Sequence, residues 1–417
     1  MQTVWLAKRS RFMLAAGWCV AAGFLAQPAP ASAQAVPGAL AAGISPPSAA
    51  KPVLRPQRKT APLDKAKPDQ SPDSASSGNP RIVPFKNSAF PYDGTIPGQN
   101  IAFLDKTDPG GRRGHTSPRG GISWEDATFS DSRTLLYVPK SFDIQKPGVI
   151  IVFFHGNQAI LRRDVMGRQA VPQQVAESGL NAVLVAPQLA VNALDSSAGH
   201  FWDSGFFARF LDEAATRLGE MQGAGAADRF RAMPVVVVAY SGGYLPAIFA
   251  LETGGAAARV RGVILLDALF GEVDRFSRWI DSHGAATFFF SAFSGSSAEP
   301  NAQLRKQVAS LFPNMFSALP AKLEAGTIAF QPAMSAAHND FVTQAWVAHP
   351  LKAVLSRISG YRTGLQPVSA PAAIPPPGKA PVPVSGAGFP SFVLPGLAAP
   401  RPAEQQTLPP QQLHPDR

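Results

Sequence analysis

Short runs of consecutive apolar residues recur through the middle of this chain, and most of them are followed by a segment with apolar residues at helical spacing. A strand that is buried on both faces is apolar at every position, whereas a strand with one solvated face alternates. Repeated strand–helix units of the buried kind favour a parallel sheet. The predicted fold class is therefore α/β, with a mostly parallel central sheet and helices on both faces.

The predicted elements are numerous enough for one large sheet. The predicted strands are Thr134 to Val138, Val149 to Phe154, Ala182 to Ala186, Val235 to Tyr240, Val260 to Leu266, Thr287 to Phe290 and Thr327 to Phe330. The predicted helices are Arg163 to Ser178, Phe206 to Leu218, Tyr244 to Glu252, Val273 to Ser282, Gln303 to Leu311 and a final helix from about Asp340. Ligands of such sheets bind beyond the carboxyl ends of the strands, so candidate catalytic residues are expected just after the predicted strands.

The start of the chain has the composition of a targeting segment. Lys8, Arg9 and Arg11 precede an apolar stretch, and a small-residue pattern ends at Ala33. This order is typical of a cleaved signal peptide, which we assign to residues 1–33. The protein is therefore expected to be exported, either to the periplasm or to the medium.

The flanks of the folded part are predicted to be disordered. Residues 34–80 are rich in Ala, Pro and Lys, and residues 366–417 are rich in Pro, so neither segment is expected to build a core. Residues 81–365 are expected to form one α/β domain. The single cysteine, Cys19, lies in the predicted signal peptide, so the mature chain is expected to contain no thiol.

The net charge of +10 is concentrated outside the predicted domain. The signal peptide and the linker each carry +3 and the tail carries +1, which leaves +3 for residues 81–365. Nucleic-acid binding requires a concentrated basic face, so a nucleic-acid partner is not expected. The basic linker or the Pro-rich tail is expected to contact envelope surfaces, although a solvated tail without a partner fits the sequence as well.

The segment around Ser241 carries the strongest chemical signal. A run of valines from Val235 leads into Ser241, which is followed by Gly242 and Gly243 and then by a helical pattern. A serine at such a strand–turn–helix junction is exposed at the edge of the sheet, where the N–H of the next residue faces a developing oxyanion. Ser241 is therefore the predicted nucleophile and Gly242 a predicted oxyanion donor.

A serine nucleophile needs a base, and His338 is the best-placed histidine. It follows the last predicted strand after a short loop and precedes the predicted final helix. His349 is predicted to lie inside that helix, where it is less free to reach the edge of the sheet. The remaining histidines considered are His155, His200 and His283.

The base in turn needs a carboxylate to orient it, and Asp267 is the preferred candidate. It follows directly on the buried strand that ends at Leu266, and a charge at such a position normally has a partner. Glu272 and Asp274 lie nearby and remain alternatives.

Other candidate contacts follow neighbouring strands. The N–H of Asn157, or that of Gln158, is the second predicted oxyanion donor, since Gly156 lets the backbone approach a ligand closely. Tyr240 and Trp202 are the candidate substrate-binding side chains, although Trp202 could equally pack in the core. The sequence contains no Gly-rich phosphate loop and no zinc-type histidine spacing, so neither a cofactor nor a metal is expected.

Together these residues resemble the α/β-hydrolase family, over about Arg133 to Gly360. The resemblance rests on His155-Gly156-Asn157, Ala239-Tyr240-Ser241-Gly242-Gly243, Asp267 and His338, in the chain order Ser, Asp, His. It implies a nucleophile at Ser241, a general acid/base at His338 and an orienting acid at Asp267. It also implies an oxyanion hole formed by the N–H groups of Asn157 and Gly242.

The chain departs from the family pattern at two places. Ala239 stands where the family usually has glycine, and alanine is small enough for the crowded turn. The family's acid usually follows the second strand after the nucleophile, but here no carboxylate follows that strand until Glu299. The acid is therefore expected after the preceding strand, a variant that the family also uses.

The resemblance implies an exported serine hydrolase that cleaves a carboxylic ester, or less readily an amide, through an acyl-enzyme on Ser241. A small-molecule or lipid-like ester is the expected substrate. The alternative is a catalytically silent binding module of the cell envelope on the same fold.

Overall fold

A computed structural model describes residues 78–363, and their centre is an eight-stranded mixed sheet. The predicted signal peptide, all but the end of the predicted linker and the predicted tail lie outside the described residues. The strands are β1 (Asn79–Pro84), β2 (Arg133–Val138), β3 (Val149–Phe154), β4 (Ala182–Pro187), β5 (Val235–Tyr240), β6 (Val260–Leu266), β7 (Phe288–Phe293) and β8 (Ile328–Pro332). Their order across the sheet is β1-β2-β4-β3-β5-β6-β7-β8.

The sheet is mostly parallel, as predicted. Strand β2 is antiparallel to both of its neighbours, and every other neighbouring pair is parallel. Each predicted strand is present, with ends that move by only a few residues. Strand β1 was not predicted; it begins at Asn79, two residues before the start expected for the domain.

Helices cover both faces of this sheet. They are α1 (Glu125–Thr128), α2 (Val171–Ala176), α3 (Phe206–Gln222), α4 (Ala226–Ala232), α5 (Tyr244–Glu252), α6 (Val273–His283), α7 (Ala298–Val308) and α8 (Pro350–Leu355), with a π-helix at Leu161–Arg168. Buried side chains of β5 alternate between two hydrophobic layers: Val235 and Val237 face the layer that includes α3, α5 and α6, and Val236 and Val238 face the layer that includes α2 and α8. Burial on both faces explains why β5 is apolar at every position.

The predicted helix from Arg163 to Ser178 is wrong as a single element. The π-helix and α2 are separated at Ala170, whose φ of 46° lies in the left-handed region. A non-glycine residue in that region ends a right-handed helix, and Pro172 then lies in the first turn of α2. Apolar periodicity runs across both pieces, so it could not reveal the break.

The predicted final helix is also wrong in its extent. The segment His338–Val342 forms a short 3₁₀ helix, and α8 begins only at Pro350. His349 therefore precedes α8 rather than lying inside a helix, and its φ is 57°. The predicted helix from Gln303 to Leu311 corresponds to α7, which begins and ends earlier.

Short strands fill the segment between β1 and β2. They form two small antiparallel sheets, one of Thr95–Ile96 and Ile101–Ala102, and one of Lys106–Thr107, Arg113–Thr116 and Ile122–Trp124. Strands of two to four residues contain too few positions to show a recognisable alternation of apolar and polar residues, so they were not predicted. Within residues 78–363, no helix has the length and apolar character to cross a membrane.

We predict that Phe201→Ala destabilises the domain strongly. The ring of Phe201 is fully buried and packs edge-on against Phe154, Phe206 and Phe210 at 5.0–5.4 Å between centroids. The free energy of unfolding, measured by urea denaturation, should fall by about 3–5 kcal/mol. The control Phe316→Ala, at a 48% exposed position, should lose less than about 1 kcal/mol. Equal losses in the two variants would contradict this view of the core.

Candidate active site

The carboxyl ends of the parallel strands lie at one edge of the sheet. Ser241 follows β5, Asp267 follows β6, and His338 follows β8 after a five-residue loop. Tyr240 pairs with Leu266 in the register of β5 and β6, so the residues that follow them, Ser241 and Asp267, are neighbours. The parallel topology therefore brings together side chains that are far apart in the sequence.

Ser241 occupies a tight turn with a left-handed backbone. Its φ is 53°, a region that costs a non-glycine residue free energy, and the turn continues as the 3₁₀ helix Ser241–Gly243 and then as α5. Space is limited around the next residue: a Cβ on Gly242 would collide with Asn157 Oδ1 and Ser196 Oγ. The turn therefore holds the hydroxyl of Ser241 at the sheet edge and leaves no room for a side chain beside it.

His338 bridges the serine and the carboxylate. Its Nε2 lies 2.7 Å from Ser241 Oγ, and its Nδ1 lies 2.6 Å from Asp267 Oδ2. The imidazole ring stacks on Tyr240 at 5.1 Å and meets the edge of Phe270 at 5.7 Å. Both ring nitrogens are engaged and two aromatic rings contact the imidazole, so the ring is held between Ser241 and Asp267.

The Asp267 carboxylate is completely buried and fully hydrogen-bonded. Oδ1 accepts hydrogen bonds from the N–H of Ser294, at 2.9 Å, and from the hydroxyl of Ser297, while Oδ2 accepts one from the Ser294 hydroxyl at 3.0 Å and faces His338. Burial alone would raise the pKa of Asp267, but the hydrogen bonds from His338, Ser297 and Ser294 outweigh burial and hold the pKa below its usual value. The group is therefore ionised at neutral pH.

Ser294 and Ser297 are the site residues that the sequence analysis missed. They follow β7, where a carboxylate was sought and not found, and they donate hydrogen bonds to the carboxylate that stands after β6 instead. The serine-rich run from Ser294 to Ser297 at a strand end was the available signal. Serine hydroxyls at a strand end can donate hydrogen bonds to a carboxylate that follows the neighbouring strand.

Asn157 follows β3 and lies against the Ser241 turn. Its Oδ1 accepts a hydrogen bond from Ser196 Oγ at 3.0 Å. The N–H of Gln158 donates to the carbonyl of Ala193 at 2.8 Å, whereas the N–H of Asn157 has no acceptor among residues 78–363. Of the two N–H groups considered from the sequence, that of Asn157 is thus available to a ligand and that of Gln158 is not.

A cleft of about 360 Å³ opens beside Ser241. We call it the Ser241 cleft. It is lined by Arg119, Asn157, Gln158, Arg163, Arg168, Gln169, Asn192, Leu194, Tyr240, Ser241, His338 and Asn339. This volume suits a small substrate, and the lining is largely polar.

The two predicted substrate contacts have different positions. Tyr240 lines the cleft, but it is almost fully buried, and its hydroxyl lies 3.2 Å from Asn339 Oδ1; burial raises the pKa of this phenol. Trp202 is outside the lining of the Ser241 cleft. It packs edge-on against Tyr92, Phe103 and Phe249, since its 3₁₀ segment faces the hydrophobic layer rather than the cleft. Its prediction as a substrate contact is corrected in favour of packing.

The alternative histidines have other partners. His155 is buried, its Nε2 accepts the N–H of Leu189 at 2.9 Å, and burial lowers its pKa to about 4. His200 pairs with Asp203 at 2.7 Å, and His283 faces the carbonyl of Trp279. None of these three histidines contacts Ser241, and neither does the exposed His349.

The alternative acids are also engaged elsewhere. Glu272 pairs with Arg275 at 2.8 Å, and Asp274 accepts a hydrogen bond from Gln307 at 2.8 Å. Of the three carboxylates considered from the sequence, Asp267 is the one in contact with His338. In the described part of the chain, no group of three or more His, Cys, Asp and Glu side chains is arranged to hold a metal ion.

No family model matches this chain, and no curated protein matches it. Its structure is similar to a variant of the feruloyl esterase module from Clostridium thermocellum complexed with sinapinate, at 14% identity over 66% of this chain and 95% of that chain, with a TM-score of 0.35. It is also similar to an S-formylglutathione hydrolase from Agrobacterium tumefaciens, at 15% identity over 60% of this chain and 94% of that chain, with a TM-score of 0.33. A thermostable esterase from Pseudomonas putida ECU1011 gives 13% identity over 54% of this chain and 76% of that chain, with a TM-score of 0.34. TM-scores this low carry no argument about the activity of this chain.

The low pKa of Asp267 predicts a specific pH dependence of stability. A carboxyl group whose pKa is lower in the folded state stabilises the fold above its unfolded pKa of about 3.9, and the stabilisation disappears as the pH falls through the folded pKa. The difference in the free energy of unfolding between the wild type and Asp267→Asn should therefore narrow between about pH 5 and pH 2.

Urea denaturation of both proteins across this range measures the difference. The matched control is Asp281→Asn, at an exposed position on α6, which should stay close to the wild type at every pH. A wild-type advantage over Asp267→Asn that is the same at both ends of the range would contradict a lowered pKa.

Proposed function

We propose that this chain is a serine hydrolase of the α/β-hydrolase family that cleaves carboxylic esters through an acyl-enzyme on Ser241. The observation that carries the proposal is the continuous array Ser241 Oγ, His338 and Asp267, joined by contacts of 2.7 and 2.6 Å at the carboxyl edge of the sheet. The order Ser, Asp, His along the chain and the strained turn at Ser241 support it.

In the proposed acylation step, His338 acts as the general base. Asp267 accepts the Nδ1–H of the imidazole, so the lone pair of Nε2 faces Ser241 Oγ. As Oγ attacks the ester carbonyl, its proton moves to Nε2, and the imidazolium that forms is stabilised by the ionised Asp267. The same proton is then delivered to the departing alcohol.

The N–H groups of Asn157 and Gly242 are the proposed donors to the tetrahedral oxyanion. The N–H of Asn157 has no acceptor in the part of the chain that the structure describes, and Gly242 follows the proposed nucleophile directly. Ser196 is a positioning residue in this scheme, because its hydroxyl holds the Asn157 side chain beside Gly242. Deacylation repeats the sequence with water in place of the serine.

Export belongs to the same proposal and rests on the pattern in residues 1–33. The linker assigned to residues 34–80 and the tail assigned to residues 366–417 stay predictions about segments outside the described residues. Contact with envelope surfaces through these segments is likewise a proposal that rests on their composition.

We predict that Ser241→Ala removes ester hydrolysis. Loss of the nucleophile should lower kcat for p-nitrophenyl acetate by at least about 10³-fold and abolish labelling by a fluorophosphonate probe. The matched control Ser282→Ala, at an exposed position on α6, should keep both activities. Hydrolysis by the Ser241→Ala variant at the wild-type rate, or a wild-type protein that is neither labelled nor active on esters, would contradict the proposal. The second result would favour a silent binding module.

A second prediction identifies the acid. Asp267→Asn should lower kcat by about 10⁴-fold, because an amide facing Nδ1 favours the wrong tautomer of His338. The control Asp274→Asn changes an alternative carboxylate, which is bonded to Gln307, and should keep wild-type turnover. A larger loss of turnover in Asp274→Asn than in Asp267→Asn would contradict the assignment of Asp267 as the acid.

A further inference from the structure

The charge of the Ser241 cleft is more informative about the substrate than its shape. Three of its lining residues are arginines and none is an aspartate or a glutamate. A cleft lined by one sign of charge concentrates ligands of the opposite sign and raises their association rate. The three arginines are Arg119, Arg163 and Arg168.

Arg163 and Arg168 share a single buried carboxylate. Asp164, within the π-helix, lies 2.9 Å from the guanidinium of Arg163 and 3.0 Å from that of Arg168. Arg163 also donates to the carbonyl of Gln158 at 2.6 Å, which fixes it to the rim of the cleft. One negative charge faces two positive charges here, so this side of the cleft remains cationic.

Within residues 78–363, no carboxylate pairs with the charge of Arg119. Its side chain makes no hydrogen bond or ion pair with any of residues 78–363. It lies in the turn between the strands Arg113–Thr116 and Ile122–Trp124, with its backbone N–H bonded to Ser117 Oγ at 3.2 Å. Its guanidinium acts electrostatically on the phenol of Tyr244, but no carboxylate among the described residues neutralises it.

The turn that carries Arg119 is fixed beside the cleft. His115 is buried and stacks on Phe103 at 4.4 Å, with its Nδ1 2.7 Å from the carbonyl of the same residue. Thr116 donates two hydrogen bonds of 2.7 Å to Asp105. The hairpin is thus anchored next to its turn, which places the backbone of Arg119 beside the cleft.

Neither Asp267 nor Asp340 neutralises this charge. Asp267 is saturated by His338, Ser294 and Ser297. Asp340 accepts the N–H of Ala337 at 2.9 Å and does not line the cleft.

We propose that the substrate of the Ser241 cleft is an ester that also carries an anionic oxygen group such as a carboxylate, and that Arg119, with Arg168, binds this group. This inference rests on the proposed ester hydrolysis and narrows its substrate class. A guanidinium donates two parallel hydrogen bonds to a carboxylate, and such charge-assisted bonds are about twice as strong as neutral ones. Leu194 is the only aliphatic residue that lines the cleft, so its walls suit a polar substrate better than a long acyl chain.

Two pairs of matched esters test the proposal. The first pair, 4-acetoxybenzoate and 4-acetoxybenzamide, differs in charge on the alcohol side; the second, monophenyl adipate and phenyl hexanoate, differs on the acyl side. In at least one pair the wild type should prefer the charged ester in kcat/KM by about tenfold or more, the worth of one charge-assisted hydrogen bond. This preference should weaken as the salt concentration rises.

The variant Arg119→Gln should reduce the preference for the charged ester about fivefold to tenfold. Arg217→Gln is the matched control: it removes an arginine that lies on α3 and pairs with Glu220, so it should leave the preference unchanged. Circular dichroism of each variant checks that the fold is retained.

Three results would overturn the proposal, and they differ from one another. Equal or better hydrolysis of the neutral ester in both pairs would reject an anionic substrate while leaving ester hydrolysis intact. A wild-type preference that survives in Arg119→Gln would reject the assignment to Arg119. No hydrolysis of any of the four esters would reject the proposed function, and this inference with it.

Discussion

The buried carboxylate of Asp267 is the group on which the arrangement of the site depends. A fully buried charge is costly unless every oxygen has a partner, and here Ser294, Ser297 and His338 supply those partners. Meeting this requirement orients the imidazole, and the oriented imidazole faces the hydroxyl of Ser241. The strained turn at Ser241 brings the hydroxyl to the same point from the neighbouring strand. Stability and chemistry are coupled here, because the hydrogen bonds that make the buried charge tolerable are also those that fix the base.

The sheet makes this arrangement possible over long stretches of sequence. Strands β3, β5, β6 and β8 are parallel, so their carboxyl ends meet at one edge, and short loops there hold polar side chains on a rigid scaffold. The small sheets between β1 and β2 and the π-helix after β3 then add cations to the cleft. The elements of the central sheet position the proposed reacting groups, and the elements around it determine the charge of the cleft.

Much of the fold could be predicted from the sequence, because a strand buried on both faces is apolar at every position and Val235 to Val238 shows this directly. Ser241 and Asp267 could be predicted as candidates because each directly follows such a strand, and His338 because it follows the last strand, β8, after a short loop. The break at Ala170 could not be predicted, since it depends on a left-handed backbone that leaves the apolar pattern intact.

Trp202 was predicted to contact the substrate because aromatic residues suit cores and pockets equally well. The cationic lining was missed because Arg119 and Arg168 lie on separate irregular segments, and their proximity exists only in the folded chain.

The central claim is that Ser241 forms a covalent acyl-enzyme. Rapid-quench mass spectrometry with p-nitrophenyl acetate tests it most directly, combined with stopped-flow detection of p-nitrophenol. The account predicts one acetyl group per protein, on the peptide that contains Ser241, and a burst of p-nitrophenol that matches the enzyme concentration whenever deacylation is the slower step. Measurable turnover without an acetyl group on Ser241 in samples quenched before the steady state would contradict the account. An acetyl group on a different residue would contradict it as well.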